Sequence, residues 1–215
     1  MTAAGPDSEP DSEPVQPTKA DAAREAELWV GRVADEPHEA AVLDRTDVFD
    51  GQVWNLRSDE VRVHDHIVRR DWIQHTGAVG VVALDDENRV LLIRQYRHPV
   101  AMMMFEPPAG LMDVDGESGL QTAQRELAEE AGLQAAHWQS LQTFHTTPGG
   151  NDESIEIFLA TGLSDATTDF VREGEESDMQ GRWIALDEAL LSVRRSDIQN
   201  PAAVVAILAL AHRLK

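Results

Sequence analysis

Residues 110–133 read GLMDVDGESGLQTAQRELAEEAGL, and the rest of the chain can be arranged around this segment. Glu126, Glu129 and Glu130 lie at i, i+3 and i+4, so a helix would project their carboxylates from one side. Like charges at this spacing destabilise an isolated helix by roughly 0.2–0.5 kcal/mol per pair. The three glutamates therefore need a counter-charge, and a divalent cation is the obvious one.

The ends of this helix are marked in the sequence. Ser118 and Gln121 form a capping box at its start, and Gly132 is a typical residue at its end. An apolar stripe at helical spacing is predicted to pack against a core, and it consists of Leu120, Ala123, Leu127 and Ala131. Without further context, a solvated acidic face is the simpler interpretation of such a helix.

The flanks of the helix change that interpretation. The segment resembles the Nudix box, whose pattern is G-x5-E-x7-R-E-U-x-E-E-x-G-U with U aliphatic. Gly110 departs from the pattern, because it lies seven residues before Glu117 instead of six, but a loop absorbs one extra residue at low cost. Eight positions are in register, namely Glu117, Arg125, Glu126, Leu127, Glu129, Glu130, Gly132 and Leu133.

The composition of the 215-residue chain excludes several classes of protein. Its formal net charge of −21, from 39 acidic and 18 basic residues, argues against binding to nucleic acid or to anionic lipid. The absence of cysteine excludes disulfides and thiolate metal sites. No apolar run reaches about 18 residues and no signal peptide is recognisable, so a cytoplasmic protein is predicted.

The chain divides into three predicted regions. Residues 1–20 are rich in Pro, Ser, Asp and Glu and are predicted to form a disordered acidic tail. Residues 21–75 are predicted to form an N-terminal β region, with antiparallel strands at 41–49, 52–63 and 66–74. Residues 76–215 would form the Nudix hydrolase domain.

Within the last region, strands and helices are mixed. Residues 77–84 and 89–96 are predicted to pair as a hairpin of buried strands. Further strands are predicted at 138–144, 154–163 and 182–186, followed by a helix at 186–195 and a last helix that begins at Asn200. This mixture indicates an α/β/α sandwich with a mixed sheet, preceded by an antiparallel β extension, and the Nudix resemblance implies the same fold.

The resemblance also implies a chemistry. Nudix enzymes hydrolyse nucleoside diphosphates linked to another moiety, with Mg²⁺ (or Mn²⁺) neutralising the charge on the phosphate oxygens. It implies metal ligation by Glu126, Glu129, Glu130 and the backbone carbonyl of Ala109. Arg125 would hold the glutamates in place.

Motifs beyond the box are similar to those of bacterial ADP-ribose pyrophosphatases. They are DWIQHTGAV, QYRH, EPPAG, TPGGNDE and EGEESDM, and Pro148 follows the box by about fifteen residues, as is often associated with ADP-ribose activity. Enzymes of this kind cleave ADP-ribose into AMP and ribose 5-phosphate. They are commonly homodimers that exchange N-terminal strands, so a homodimer is predicted.

The same resemblance suggests substrate-binding residues and a base. Arg97 would contact the diphosphate, and Glu106 is a further candidate in the pocket. Arg70, Asp71 and Trp72 would hold the adenosine, across a subunit boundary in a dimer. The general base is predicted in an acidic loop where Glu173, Glu175 and Glu176 compete, and the spacing to the SDM sequence favours Glu175.

Two alternatives stay open. The first is a Nudix hydrolase of another nucleoside diphosphate sugar or of a dinucleotide. The second is a Nudix-fold ligand sensor that binds without turnover. Such sensors tend to lose box glutamates, and because all of them are present here, the sensor ranks last.

Overall fold

The computed structural model describes residues 28–167 and 179–215. The predicted tail at 1–20 and the three candidate bases Glu173, Glu175 and Glu176 lie outside these residues. The chain divides into two compact units, 1–39 and 40–215. The described part of the first unit, 28–39, contains no helix or strand, and all the elements below belong to the second unit. No helix within 28–167 or 179–215 is long and apolar enough to cross a membrane.

The first three strands form an antiparallel sheet. They are β1 (Ala41–Asp50), β2 (Asn55–Val63) and β3 (His66–Gln74), in the order β1-β2-β3. The two-residue turn between β2 and β3 places His64 at a φ of 53°, as the tight turns of twisted hairpins require. This sheet confirms the predicted N-terminal antiparallel extension.

The central sheet is mixed, with the order β7-β4-β9-β8. It contains β4 (Ala78–Ala83), β7 (Ala109–Leu111), β8 (Leu133–His145) and β9 (Ser154–Asp165). The pairing of β4 with β9 is parallel, whereas β4 with β7 and β8 with β9 are antiparallel. Every residue of β4 is buried, as its uninterrupted apolar sequence requires.

A third sheet has the order β10-β5-β6 and is antiparallel. It contains β5 (Arg89–Arg97), β6 (Met102–Glu106) and β10 (Gln180–Ala185). The predicted hairpin of β4 with β5 is therefore wrong, because the two strands join different sheets and share only an isolated bridge between Leu84 and Val90. Each strand finds its partners far away in sequence, which local apolar patterning cannot reveal.

Residues 28–167 and 179–215 contain three α-helices. They are α1 (Gly119–Ala131), α2 (Leu186–Arg194) and α3 (Pro201–Arg213). Alternate residues of β4 enter different cores: Val79 and Val81 pack with residues of α1, whereas Ala78 and Val82 pack with residues of α3. The arrangement is the predicted α/β/α sandwich with a mixed sheet.

The ends of α1 agree with the sequence. Ser118 and Gln121 form both bonds of the capping box, and Gly132 ends the helix at a φ of 67°. Ala123 and Leu127 are fully buried, but Leu120 is 37% exposed, so its predicted place in the apolar stripe is wrong. Thr122 is buried instead of Leu120. Its hydroxyl group hydrogen-bonds to the carbonyl of Ser118 and to a carboxylate oxygen of Glu117, so the buried polar atom has partners.

Candidate active site

A cavity of about 510 Å³ opens between α1, β7 and the end of β5. Five of the predicted site residues line it, namely Arg97, Ala109, Arg125, Glu126 and Glu130. They come from three elements that are distant in sequence, so the fold brings the QYRH and EPPAG segments to the box helix. Glu129 does not line the cavity, although it belongs to the same ion-pair network.

Arg125 lies at the centre of that network. Its Nη1 donates to Glu126 at 2.7 Å and to Glu129 at 3.3 Å, and its Nη2 donates to Glu117 at 3.2 Å. Burial alone would lower the pKa of Arg125, but the hydrogen bond with Glu117 and the charges of Glu126 and Glu117 outweigh it and raise the pKa. Arg125 thus stays charged and supplies part of the counter-charge that the glutamates need.

Glu117 is bound to the same arginine. The hydrogen bond from Arg125 lowers the pKa of Glu117, burial opposes this, and a hydrogen bond from Thr122 lowers it further. Glu117 therefore remains a carboxylate and ties the loop before the helix to the first two turns of α1.

The turn before the box is fixed by backbone hydrogen bonds. The amide of Ala109 donates to Glu130 at 2.8 Å, and the carbonyl of Pro108 accepts from Val81 at 2.7 Å. Gly110 follows directly, and a Cβ at this position would overlap the Glu126 carboxylate. Glycine is needed here because the Glu126 side chain lies over the backbone of the turn.

The donor atoms in the cavity suit a hard divalent cation. Glu126 and Glu130 contribute carboxylates, and Ala109, in the same wall, carries a backbone carbonyl. Oxygen ligands of these two kinds are those that Mg²⁺ prefers. Within residues 28–167 and 179–215, no three acidic, histidine or cysteine side chains are already grouped as a metal site. Arg125 lies among the box glutamates and bonds to both Glu126 and Glu129.

Arg97 and Glu106 form a close ion pair across β5 and β6. Nε of Arg97 donates to Oε1 of Glu106 at 2.8 Å, and Nη2 donates to Oε2 at 2.5 Å. The Arg97 side chain is 47% exposed and lines the cavity, whereas that of Glu106 is 3% exposed and does not. The sequence-based prediction placed both side chains in the pocket, but Glu106 lies behind Arg97.

The predicted adenosine-binding residues lie on β3, away from this cavity. None of Arg70, Asp71 and Trp72 lines it. Trp72 donates to Asp59 at 3.1 Å and stacks beneath Arg45, whereas Asp71 points to the other face of the strand and accepts from Ser58 at 2.6 Å. Their roles in substrate binding stay predictions.

The TPGGNDE loop is attached to the end of β3. The amide of Ile73 donates to the carbonyl of Gly150 at 2.9 Å, and the amide of His75 donates to Asp152 at 2.7 Å. The imidazole of His75 also lies 3.3 Å from a carboxylate oxygen of Glu153. These contacts join the loop that carries Pro148 to the N-terminal sheet.

Sequence reasoning assigned no role to four residues that line the cavity, namely Gln95, Leu111, Asp113 and Met179. Gln95 could have been found, because it lies two residues before Arg97 and strand periodicity places both on one face. Asp113 belongs to the loop with the extra residue, and no local pattern predicts where that loop directs it.

Comparison with known proteins is consistent with this site. The NUDIX domain profile matches residues 74–204. The chain is 40% identical over 173 residues to an ADP-ribose pyrophosphatase of Mycobacterium tuberculosis, which covers 80% of this chain and 83% of that protein. It is 31% identical over 171 residues to an ADP-ribose pyrophosphatase of Bacillus subtilis, which covers 79% and 91%.

One further relative is named for a different role, and one solved structure shares the fold at low sequence identity. A methanol dehydrogenase activator of Bacillus methanolicus is 34% identical over 170 residues, covering 79% of this chain and 91% of that protein. The fold resembles the crystal structure of an ADP compounds hydrolase with a TM-score of 0.69 at 20% identity, over 84% of this chain and 97% of the other. On the extent of the domain match and of these identities, the chain belongs to the Nudix family.

Proposed function

We propose that this protein hydrolyses the pyrophosphate bond of ADP-ribose to give AMP and ribose 5-phosphate, with Mg²⁺ as cofactor. The observation that carries the proposal is the single cavity in which Arg97 faces the box residues Arg125, Glu126 and Glu130. The relatives named as ADP-ribose pyrophosphatases, at 40% and 31% identity, support the choice of substrate.

Arg97 binds the diphosphate in this proposal. A guanidinium is planar and permanently charged, and it matches phosphate oxygens with paired donors. The chain as a whole carries a charge of −21, so an anionic substrate must be attracted by local cations and not by the overall field. Arg97 at the mouth of the cavity supplies such a cation.

The metal would be held by Glu126, Glu130 and the carbonyl of Ala109, with Glu129 available beside them. When bound, a divalent ion neutralises the charge that develops on the phosphate oxygens during hydrolysis. Arg125 orients Glu126 and Glu129 through its bonds to both carboxylates. Mn²⁺ is the alternative ion because it accepts the same oxygen ligands.

Glu175 would act as the general base. Attack by water needs a carboxylate that orients the water and accepts its proton, and the acidic sequence after β9 is rich in such groups. Glu173 and Glu176 are the competing candidates. Arg70, Asp71 and Trp72 would bind the adenosine from a second subunit of a homodimer, and we place the enzyme in the cytoplasm.

A substrate panel tests the proposed function. The purified full chain, incubated with Mg²⁺, is offered ADP-ribose, ADP-glucose, GDP-mannose, NADH and diadenosine polyphosphates in parallel, and the release of AMP or GMP is followed. We expect the largest kcat/KM for ADP-ribose. Faster turnover of any other compound would contradict the substrate, and tight binding of ADP-ribose without AMP release would favour a sensor.

A second candidate is a Nudix hydrolase of a different nucleotide conjugate. One observation favours it: a relative that is 30% identical over 144 residues is a CMP-5'-(N-acetyl-N-hydroxy-3-aminopropyl)phosphonate hydrolase of Streptomyces rubellomurinus. That relative covers 66% of this chain, against 80% for the ADP-ribose pyrophosphatase of M. tuberculosis, so this function ranks second.

A further inference from the structure

We infer that Glu106 is a positioning residue that orients Arg97 toward the diphosphate and does not itself touch the substrate. This inference rests on the proposed function. The buried carboxylate of Glu106 would thus affect substrate affinity indirectly. The sequence alone could not distinguish this role from direct contact with the substrate.

The strand register brings the two side chains together. Ile93 pairs with Glu106 in the antiparallel ladder of β5 and β6, and residues that are directly opposite share a face. Every second side chain of a strand lies on one face, so Gln95 and Arg97 share the face of Ile93. The long Arg97 side chain therefore reaches back along the strand to Glu106, and its guanidinium is held at the cavity wall.

Both carboxylate oxygens of Glu106 already accept hydrogen bonds from the protein. Its Oε1 accepts from Nε of Arg97, and its Oε2 accepts from Nη2 of Arg97 and, at 3.3 Å, from Gln95. Its side chain is 3% exposed and takes no part in the cavity wall, whereas both of its partners do. A carboxylate facing the diphosphate would repel it, and this one is shielded by the arginine that it holds.

The pairing leaves Arg97 suited to its task. Glu106 engages two of the three guanidinium nitrogens in a side-on arrangement, which fixes the plane of the group. An arginine already held in one orientation loses less conformational entropy when it binds phosphate. The buried Glu106 thus acts on substrate affinity through the exposed Arg97.

A double-mutant cycle on the full chain tests this role, with ADP-ribose as substrate and Mg²⁺ as cofactor. Glu106→Gln keeps the size of the side chain but removes its charge and one acceptor. We expect KM to rise about 10- to 100-fold, the range typical when a group that orients a ligand-binding residue is lost, with a much smaller change in kcat. Glu106→Asp retains the charge and should give an intermediate KM.

The cycle is completed in the Arg97→Gln background. If Glu106 acts through Arg97, adding Glu106→Gln there raises KM no further. An unchanged KM in Glu106→Gln alone, or an equal rise in both backgrounds, would overturn the inference. If Glu106→Gln does not fold, the same comparison is made with Glu106→Asp, and additivity or an unchanged KM overturns it in the same way.

A matched control separates affinity from stability. Asp85 binds Arg89 at 2.6 Å at the opposite end of β5, far along the strand from the cavity. Asp85→Asn should lower the Tm and leave KM unchanged. If the wild-type protein prefers another compound of the panel, the proposed substrate is contradicted. The same mutant cycle, measured with that compound, still tests the role of Glu106.

Discussion

At the scale of single residues, the site depends on how closely Glu126 approaches the backbone. Its carboxylate lies over Gly110, where any Cβ would overlap it, and it accepts from Arg125 at 2.7 Å. The first residue of the box motif therefore has a steric reason to be glycine. The extra residue of the motif lies in the loop after Gly110, and the register of the helix is kept.

Replacing Gly110 by alanine should displace the Glu126 carboxylate and leave the fold intact, because the overlapping atoms belong to the end of a flexible side chain. We expect turnover of ADP-ribose to fall about 10- to 100-fold with a Tm close to that of the wild type. Steady-state kinetics and thermal melting measure both. Gly149→Ala is the control, because a Cβ there meets no atom within 4 Å. Full activity in Gly110→Ala would contradict the placement of Glu126.

The predicted base is tested by Glu175→Gln, with Glu173→Gln and Glu176→Gln as matched controls in the same acidic sequence. Loss of a general base typically slows hydrolysis about 10²- to 10⁴-fold. We expect that loss in kcat for Glu175→Gln only, with ADP-ribose binding retained in calorimetry. A comparable loss of kcat in Glu176→Gln and none in Glu175→Gln would identify Glu176 as the general base.

Residue roles were predictable where a motif fixes spacing along one helix. Glu126 and Glu130 could be placed together because i and i+4 share a helix face. The Arg97–Glu106 pair could not be predicted, since it depends on the register of two strands. The resemblance alone suggested Glu106 as a residue of the pocket. The opposite orientations of Asp71 and Trp72 follow from strand periodicity and were within reach of the sequence.

At the scale of elements, the N-terminal sheet is held by a polar network as well as by its ladder. Arg45 on β1 donates to both oxygens of Asp59 on β2 at 2.7 Å, and Trp72 on β3 donates to the same carboxylate. Asp59 is 5% exposed, whereas the side chain of Arg45 is 48% exposed, so the buried carboxylate is paired with a cation at the surface. One carboxylate thus joins all three strands.

This network should make the stability of the sheet sensitive to acid. The hydrogen bond from Arg45 lowers the pKa of Asp59, burial opposes it, and the Trp72 bond lowers it further. A lowered folded-state pKa stabilises the fold above the ordinary value of 3.8, and this stabilisation is lost as the pH falls through the folded-state pKa. Asp59→Asn should therefore be less stable than the wild type at neutral pH.

Urea unfolding at a series of pH values measures that difference. The gap between the wild type and Asp59→Asn should narrow as the pH falls below about 4. Asp65→Asn, at the exposed turn between β2 and β3, is the control and should follow the wild type. A gap that does not change with pH would contradict the ionised state of Asp59.

Elements were predicted well where local signals mark them. The capping box at Ser118 and the Asn200 cap with Pro201 gave the starts of α1 and α3, and Asn200 indeed accepts from the amide of Ala203 at 3.0 Å. Strand boundaries in the N-terminal sheet were also close. The pairing of β4 was wrong because its neighbours, β7 and β9, are separated from it by loops and a helix that carry no pairing signal.

At the scale of the whole molecule, β1 is a conspicuous surface. All ten of its residues are exposed, and Phe49 at 65% and Ile67 of β3 at 53% add large apolar side chains to this sheet. Exposed apolar side chains of this size often mark an interface, although the strand register places Phe49 and Ile67 near opposite ends of the sheet. The homodimer that the Nudix resemblance implies stays a prediction.

Light scattering coupled to size exclusion tests the dimer. We expect the wild type to have twice the chain mass of 23.7 kDa, and Phe49→Asp with Ile67→Asp to reduce the mass to that of one chain. Leu208→Asp is the control, because Leu208 is 46% exposed on α3. A wild-type protein that elutes as a single chain would contradict the prediction.

Cleavage of the pyrophosphate bond of ADP-ribose can be followed by ³¹P NMR of the reaction with Mg²⁺. We expect the diphosphate resonances to be replaced by two phosphomonoester signals, those of AMP and ribose 5-phosphate, and Glu126→Gln to abolish most of the change. Persistent diphosphate signals with the wild type, or release of inorganic phosphate, would contradict the proposed cleavage.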